Sequence, residues 1–121
     1  MDLGAFDALA TSYAGVRRRA TEGDLRWQCR GRLVARRLDD DHVVVRVPFD
    51  VRDVLLRTAP AVFSVPSRFT KHMMVVADLT ADGADDAVAD AVESAWRHTG
   101  EDLPEVEPAE TTDTVSRGGA R

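Results

Sequence analysis

Cysteine, lysine and aromatic residues are scarce in this chain. Its one cysteine, Cys29, excludes an internal disulfide and any zinc site built on clustered cysteines. Lys71 is the one lysine among 16 basic residues. Aromatic side chains make up 6% of the 121 residues, and the signal for stacking on unpaired bases is weak, since the alternation turns Trp27 inward and Phe69 stands alone. No apolar run approaches the roughly 20 residues of a membrane span. The first residues lack the basic-then-apolar order of a secretory leader. These features lead us to expect a cytoplasmic protein with no membrane partner.

The residues of familiar chemistry are also sparse. His42, His72 and His98 form no pair at metal-ligand spacing, and the triplet 39–41 lacks the distal glutamate of a calcium loop. No serine lies in a G-x-S-x-G context, and no glycine-rich phosphate loop is present. Cys29 alternates with Leu25 and Trp27, which reads as a core thiol and not a nucleophile. We therefore expect no catalytic residue, no metal and no cofactor.

What the chain has is arginine, unevenly placed. The formal net charge is -5. Residues 1–72 carry 13 basic and 9 acidic side chains, a net of +4, and residues 73–121 carry 3 and 12, a net of -9. Eight arginines fall within residues 17–37. The field around the protein is then set by where the fold places this segment, not by the isoelectric point.

Hydrophobic periodicity gives the elements. Leu3, Phe6, Leu9, Ala10, Tyr13 and Val16 form one stripe at three- and four-residue steps, which predicts a helix over residues 2–20. Asp2 is its expected N-cap, and Arg17, Arg18 and Arg19 its C-terminal complement to the dipole. Alternation predicts strands over 24–30, 32–38 and 42–48, with turns at Gly31 and at residues 39–41. Asp50 and Asp53 have capping-box spacing before a short helix whose inner side would be Val51, Val54, Leu55 and Thr58. A short edge strand over 61–65, a polar loop over 67–72, a strong strand over 73–79 and a helix over 84–98 follow. Residues 99–121, with six acids and little apolar surface, read as a flexible tail to a single domain of residues 1–98. This order predicts an α+β fold of the form α-β(3)-α-β(2)-α, with an antiparallel sheet and helices on one face.

A hairpin around Gly31 would project Arg26, Arg30, Arg32 and Arg36 from its solvent face or tip. Four guanidinium groups there suit phosphate, which each can hold through paired donors. Arg68, Lys71 and His72 add charge in the loop before the last strand. The competing reading pairs these arginines with the three-aspartate turn, leaving a solvated sheet face.

Several runs in residues 24–98 resemble the MmcQ/YjbR-like family of small bacterial proteins. Trp27-Gln28-Cys29-Arg30-Gly31-Arg32-Leu33-Val34-Ala35 looks like the family's Trp-x-x-x-Gly-Lys-x-Phe-Ala run. Val43–Pro48 leads into Arg52-Asp53-Val54-Leu55-Leu56 and then Pro60-Ala61-Val62-Phe63. Thr70-Lys71-His72 looks like the family's basic loop, and Ala95-Trp96-Arg97 the end of its final helix. The resemblance implies the same two-layer, secretion-chaperone-like fold and a double-wing DNA-binding role centred on Arg30, Arg32, Lys71 and His72. The acidic residues after His98 depart from the family's basic ending.

Two functions stay open at this point. One is a non-enzymatic protein that contacts the phosphate backbone of double-stranded DNA through Arg26, Arg30, Arg32, Arg36, Arg68, Lys71 and His72. The other is a chaperone-like interaction module that binds a protein partner or forms a homodimer. The first requires the arginines to share one exposed face, and the second an exposed apolar patch.

Overall fold

Asp2 does cap the first helix, its Oδ1 accepting from the Ala5 amide at 2.8 Å. The helix is shorter than its apolar stripe. In the computed structural model, which describes residues 1–101, α1 spans Leu3–Thr11. Thr11 and Ser12 donate their hydroxyls to the carbonyls of Asp7 and Leu9, the local bonding by which such side chains compete with helix continuation. Gly15 then takes φ +81°, which turns the chain back. Tyr13 and Val16 still reach the core, through this turn and not along a helix.

The next segment corrects the sequence reading. Arg17–Thr21 is a strand, β1, not the end of a helix. It pairs antiparallel with β2, Asp24–Cys29, across a turn in which Gly23 adopts φ +74°. Arginine is a good helix former, so local propensity favoured the wrong element. Strand pairing overrode it, and four strands precede α2 in place of the expected three.

The remaining elements follow the expected order. They are β3 (Arg32–Arg37), β4 (His42–Arg46), α2 (Phe49–Thr58), β5 (Phe63–Ser64), β6 (Met74–Asp78) and α3 (Ala84–Glu101). The six strands form one antiparallel sheet in the order β1-β2-β3-β4-β6-β5. The fold is α+β. Residues 99–101 belong to α3, and the acidic segment 102–121 lies outside the described residues. No helix among the described residues is long and apolar enough to cross a membrane.

All three helices pack on one face of the sheet. Phe6 and Ala10 of α1, Leu55 of α2, and Val88, Ala91, Val92 and Ala95 of α3 share a buried cluster with Trp27, Val43, Val45, Val75 and Ala77. Helix α2 sits more lightly than expected. Its N-cap is Pro48, and Asp50 bonds the adjacent Val51 amide, so the Asp50/Asp53 capping box does not form. Its inner strip runs through Val51, Leu55, Leu56 and Ala59, while Val54 is 45% exposed. The outer face of the sheet has a smaller cluster, Val44, Val76 and Phe69, with Leu38, Val65 and Met74 against it. Phe69 comes from a single 3₁₀ turn, Ser67–Phe69, which covers part of that face.

Trp27 is the largest fully buried side chain. Its ring meets Phe6 edge-on, with centroids 4.8 Å apart and planes at 76°. Its indole N–H donates to Asp7 Oδ1 at 2.8 Å, which satisfies a buried donor from the neighbouring helix. Trp27→Phe should cost about 1.5–3 kcal/mol by removing a charge-assisted hydrogen bond, and Phe6→Ala about 3–5 kcal/mol by opening a cavity. Urea unfolding measures both. A Trp27→Phe variant as stable as the parent would mean that the Asp7 bond does not anchor α1.

Candidate nucleic-acid interface

The register of the sheet determines which arginines share a face. Arg19 of β1 stands opposite Arg26 of β2, and Arg26 stands opposite Arg36 of β3. Across β4, β6 and β5 the same row continues as Val44, Val76 and Ser64. Val44 and Val76 belong to the outer cluster, so the whole row lies on the face away from the helices. Arg17, two residues from Arg19, shares that face beside its partner Gln28. Neighbouring strands are about 4.8 Å apart, so three guanidinium side chains are rooted side by side.

This row is costly for the fold. Like charges directly opposite in a sheet are destabilising, by roughly 0.2–1 kcal/mol per pair. Partial relief is visible: Arg26 Nε pairs with Asp24 Oδ2 at 2.6 Å. The guanidinium of Arg36 lies over the Phe69 ring at 5.7 Å, and that of Arg68 at 4.8 Å. Arg17 and Arg19 are exposed, and no carboxylate among the described residues pairs with either. The three-aspartate turn does not neutralise the row. Asp40 pairs with Arg37, and Asp39 accepts from the Asp41 amide and bonds His42.

The expected site residues are thus partly gathered and partly separated. Arg26, Arg36 and Arg68 share the outer face. Arg32 does not, because β3 carries a bulge. Trp27 pairs with Ala35, but Gln28 pairs with Leu33, which leaves Val34 as the extra residue. One inserted residue reverses the side-chain phase. Arg32 therefore stands opposite Cys29 on the helix side, while Arg36 faces outward. Arg30 is also diverted. It occupies the β2–β3 turn with φ +57°, and its Nη1 donates to the Thr99 hydroxyl at 3.2 Å, near the end of α3.

Lys71 and His72 are exposed on the loop that follows the 3₁₀ turn. One arginine holds this loop. Arg52 of α2 donates to the carbonyls of Phe69 (3.2 Å), Thr70 (3.1 Å) and His72 (2.8 Å), and its guanidinium lies 4.9 Å from the Phe49 ring centre. The sequence showed Arg52 only as part of a helical run. Three carbonyl bonds from one side chain come from tertiary placement and have no local signature. Arg17 and Arg19 were missed because their segment was read as a helix end. The glycines at 15 and 23, bracketing a short run, were the available signal.

Cys29 is buried, as expected of a core thiol. A cleft of about 460 Å³ between α2 and α3 is lined by Asp50, Asp90, Glu93, Ser94 and Arg97, and Glu93 and Arg97 pair with each other at 2.6 Å. Among the described residues no cluster of His, Cys, Asp and Glu could hold a metal ion. Comparison of the chain with protein-family models, with curated proteins and with solved structures finds no match.

His42 titrates at the edge of the outer face. It bonds Asp39 Oδ1 through Nδ1 at 2.8 Å and stands 4.0 Å from Asp78 Oδ2. The hydrogen bond to Asp39 raises its pKa above the ordinary histidine value, and the neighbouring carboxylates add to this. A raised folded-state value means stabilisation that is complete below the unfolded pKa and lost as pH rises through the folded one. The effect is small, because the side chain is 36% exposed. The melting temperature of the parent protein should fall relative to His42→Gln as pH rises through and above the ordinary histidine range. Parallel melting curves would sink this account.

Proposed function

We propose that this is a non-enzymatic nucleic-acid-associated protein whose outer sheet face binds the phosphate backbone of double-stranded DNA. The observation that carries the reading is the in-register row Arg19–Arg26–Arg36 on one exposed face. A fold that bears the cost of like charges side by side gains when phosphates come between them. Arg68 adjoins the row through Phe69, and Arg52 holds Lys71 and His72 in a fixed loop beyond it. Among the described residues the face offers no free aromatic platform, since Phe69 is buried under two guanidinium groups, so contacts would go to phosphate and not to stacked bases.

The proposed role agrees with the resemblance to the MmcQ/YjbR-like family, but the residues differ. Arg30 and Arg32, which the resemblance would place at the centre, are replaced here by Arg19, Arg26, Arg36 and Arg68. The alternative, a protein-interaction module, draws support from Phe49 (42% exposed) and Val54 (45% exposed) on α2. These two are five residues apart and do not form one stripe, and Phe49 is flanked by Arg52.

Fluorescence anisotropy of a labelled random duplex across a salt series tests the proposal. With four or five phosphate contacts, log affinity should fall with log salt at a slope near -4, because each contact contributes about -0.9. Arg26→Gln or Arg36→Gln should reduce that slope by about one, while Arg32→Gln should leave it unchanged. No binding at low salt, or equal loss from Arg32→Gln, would overturn the reading. Arg19→Thr supplies an independent check. It should weaken the duplex yet leave the fold as stable or up to about 0.5 kcal/mol more stable, since a like-charge pair is relieved.

A further inference from the structure

A concavity of about 400 Å³ lies where the α1–β1 loop approaches the β2–β3 turn. That is within the size range of small-molecule sites, but its lining is unlike theirs. Gly15 and Gly31 contribute backbone, and Arg17, Arg19, Gln28 and Arg30 complete the wall. Arg18 also borders it, with its guanidinium directed to Asp7 at 3.8 Å. Among the described residues, no carboxylate and no aliphatic side chain lines it.

Two features make this more than a patch of charge. Arg17 and Gln28 are register partners, so a guanidinium and a carboxamide stand next to each other on one wall. Arg30 is held in place on the other. Its backbone is in the left-handed region, which costs a non-glycine residue of order 1 kcal/mol or more, and its Nη1 is tied to the Thr99 hydroxyl and to Cys29 Sγ at 3.5 Å. A two-residue turn with positive φ at both positions favours Asn-Gly or Gly-Gly. Arginine there ties the turn to the end of α3 through Thr99, which holds its guanidinium at the rim of the concavity. Gly15 and Gly31 both have positive φ, and a Cβ at Gly31 would meet nothing within 4 Å, so its backbone is open to a ligand.

We propose that this concavity is a binding site for a compact polyphosphate. One held guanidinium, Arg30, two exposed ones, Arg17 and Arg19, an amide donor and the open backbone of Gly31 suit clustered phosphate oxygens and reject cations and apolar ligands. The same chemistry comes from a free nucleoside triphosphate or from the 5′-triphosphate end of a nucleic acid. The site adjoins the duplex-binding face and shares Arg17, Arg19 and Gln28 with it, whereas Gly15, Arg30 and Gly31 belong to the concavity and Arg26 and Arg36 to the face.

Calorimetric titration of the full chain with sodium triphosphate tests the proposal, with sodium sulfate at matched ionic strength as the control. Saturable one-to-one binding is expected for triphosphate and not for sulfate. Arg17→Gln and Gln28→Glu should each weaken it tenfold or more, and the Arg26→Gln/Arg36→Gln double variant should change it by less than twofold. Gln28→Glu adds a carboxylate at a partly exposed strand position, and its circular dichroism melt verifies that it folds. ATP against hairpins with 5′-triphosphate or 5′-hydroxyl ends then identifies the source, and preference for either triphosphate carrier supports the site. Equal binding of sulfate, or equal loss in the Arg26/Arg36 double variant, would overturn it in favour of diffuse charge attraction. Failure of the duplex titration alongside intact triphosphate binding would remove the proposed function and leave this site standing.

Discussion

Asp7 joins the two halves of this fold. One of its oxygens accepts the indole N–H of Trp27, on the buried face of β2, the second strand of the sheet. The other lies within ion-pair distance of Arg18, on the edge strand. An indole donor left unpaired in a fully buried position would cost the fold one to several kcal/mol, so a large buried ring at this position requires such a partner. With Asp7 present, Trp27 can fill the space under α1, and α1 is held at a fixed angle to the sheet. Strand β1, all of whose residues are exposed, gains a tether that its own side chains could not provide by burial.

The placement of α1 also explains the turn that follows. The Trp96 indole donates to the Ala14 carbonyl at 2.8 Å, and its ring lies 5.4 Å from that of Tyr13. The last helix therefore fixes the loop that returns the chain toward β1. Trp27 is fully buried and Trp96 half-buried, and each donates its N–H to the segment around α1. The result is a molecule with two electrostatic sides. Arginines occupy the outer sheet face, and α3 carries Asp85, Asp86 and Asp90 on exposed positions of the opposite layer. Among the described residues, the two layers thus present different balances of charge to the solvent.

Most of the architecture could be read from the sequence. The alternation around Trp27, Val45 and Val75 marked three sheet strands, and Val88, Ala91, Val92 and Ala95 marked the inner face of α3. Three features could not be read, each for a physical reason. The apolar stripe through Tyr13 and Val16 continued in sequence although the helix did not, because a turn can deliver the same residues to the core. The bulge at Val34 has no compositional signature, yet it decides that Arg32 and Arg36 face opposite ways. The role of Arg52 arises from a contact with residues 17 to 20 positions away, which no local pattern encodes. The candidate site was legible as an arginine-rich segment but not as a particular set of arginines, since that set depends on register.

The two margins of the sheet share one further property. On one side β5 is two residues long and is flanked closely by Pro60 and Pro66, neither of which can donate to a ladder. On the other side β1 presents an open row of backbone groups guarded by Arg17, Arg18 and Arg19. Both devices discourage a neighbouring chain from adding a strand. They are not equally permanent. Prolines block whatever the solution contains, whereas charges guard only while they remain unneutralised. The sheet is thus sealed on one margin by covalent structure and on the other by ionic conditions, and crowding with multivalent anions exposes the second margin alone.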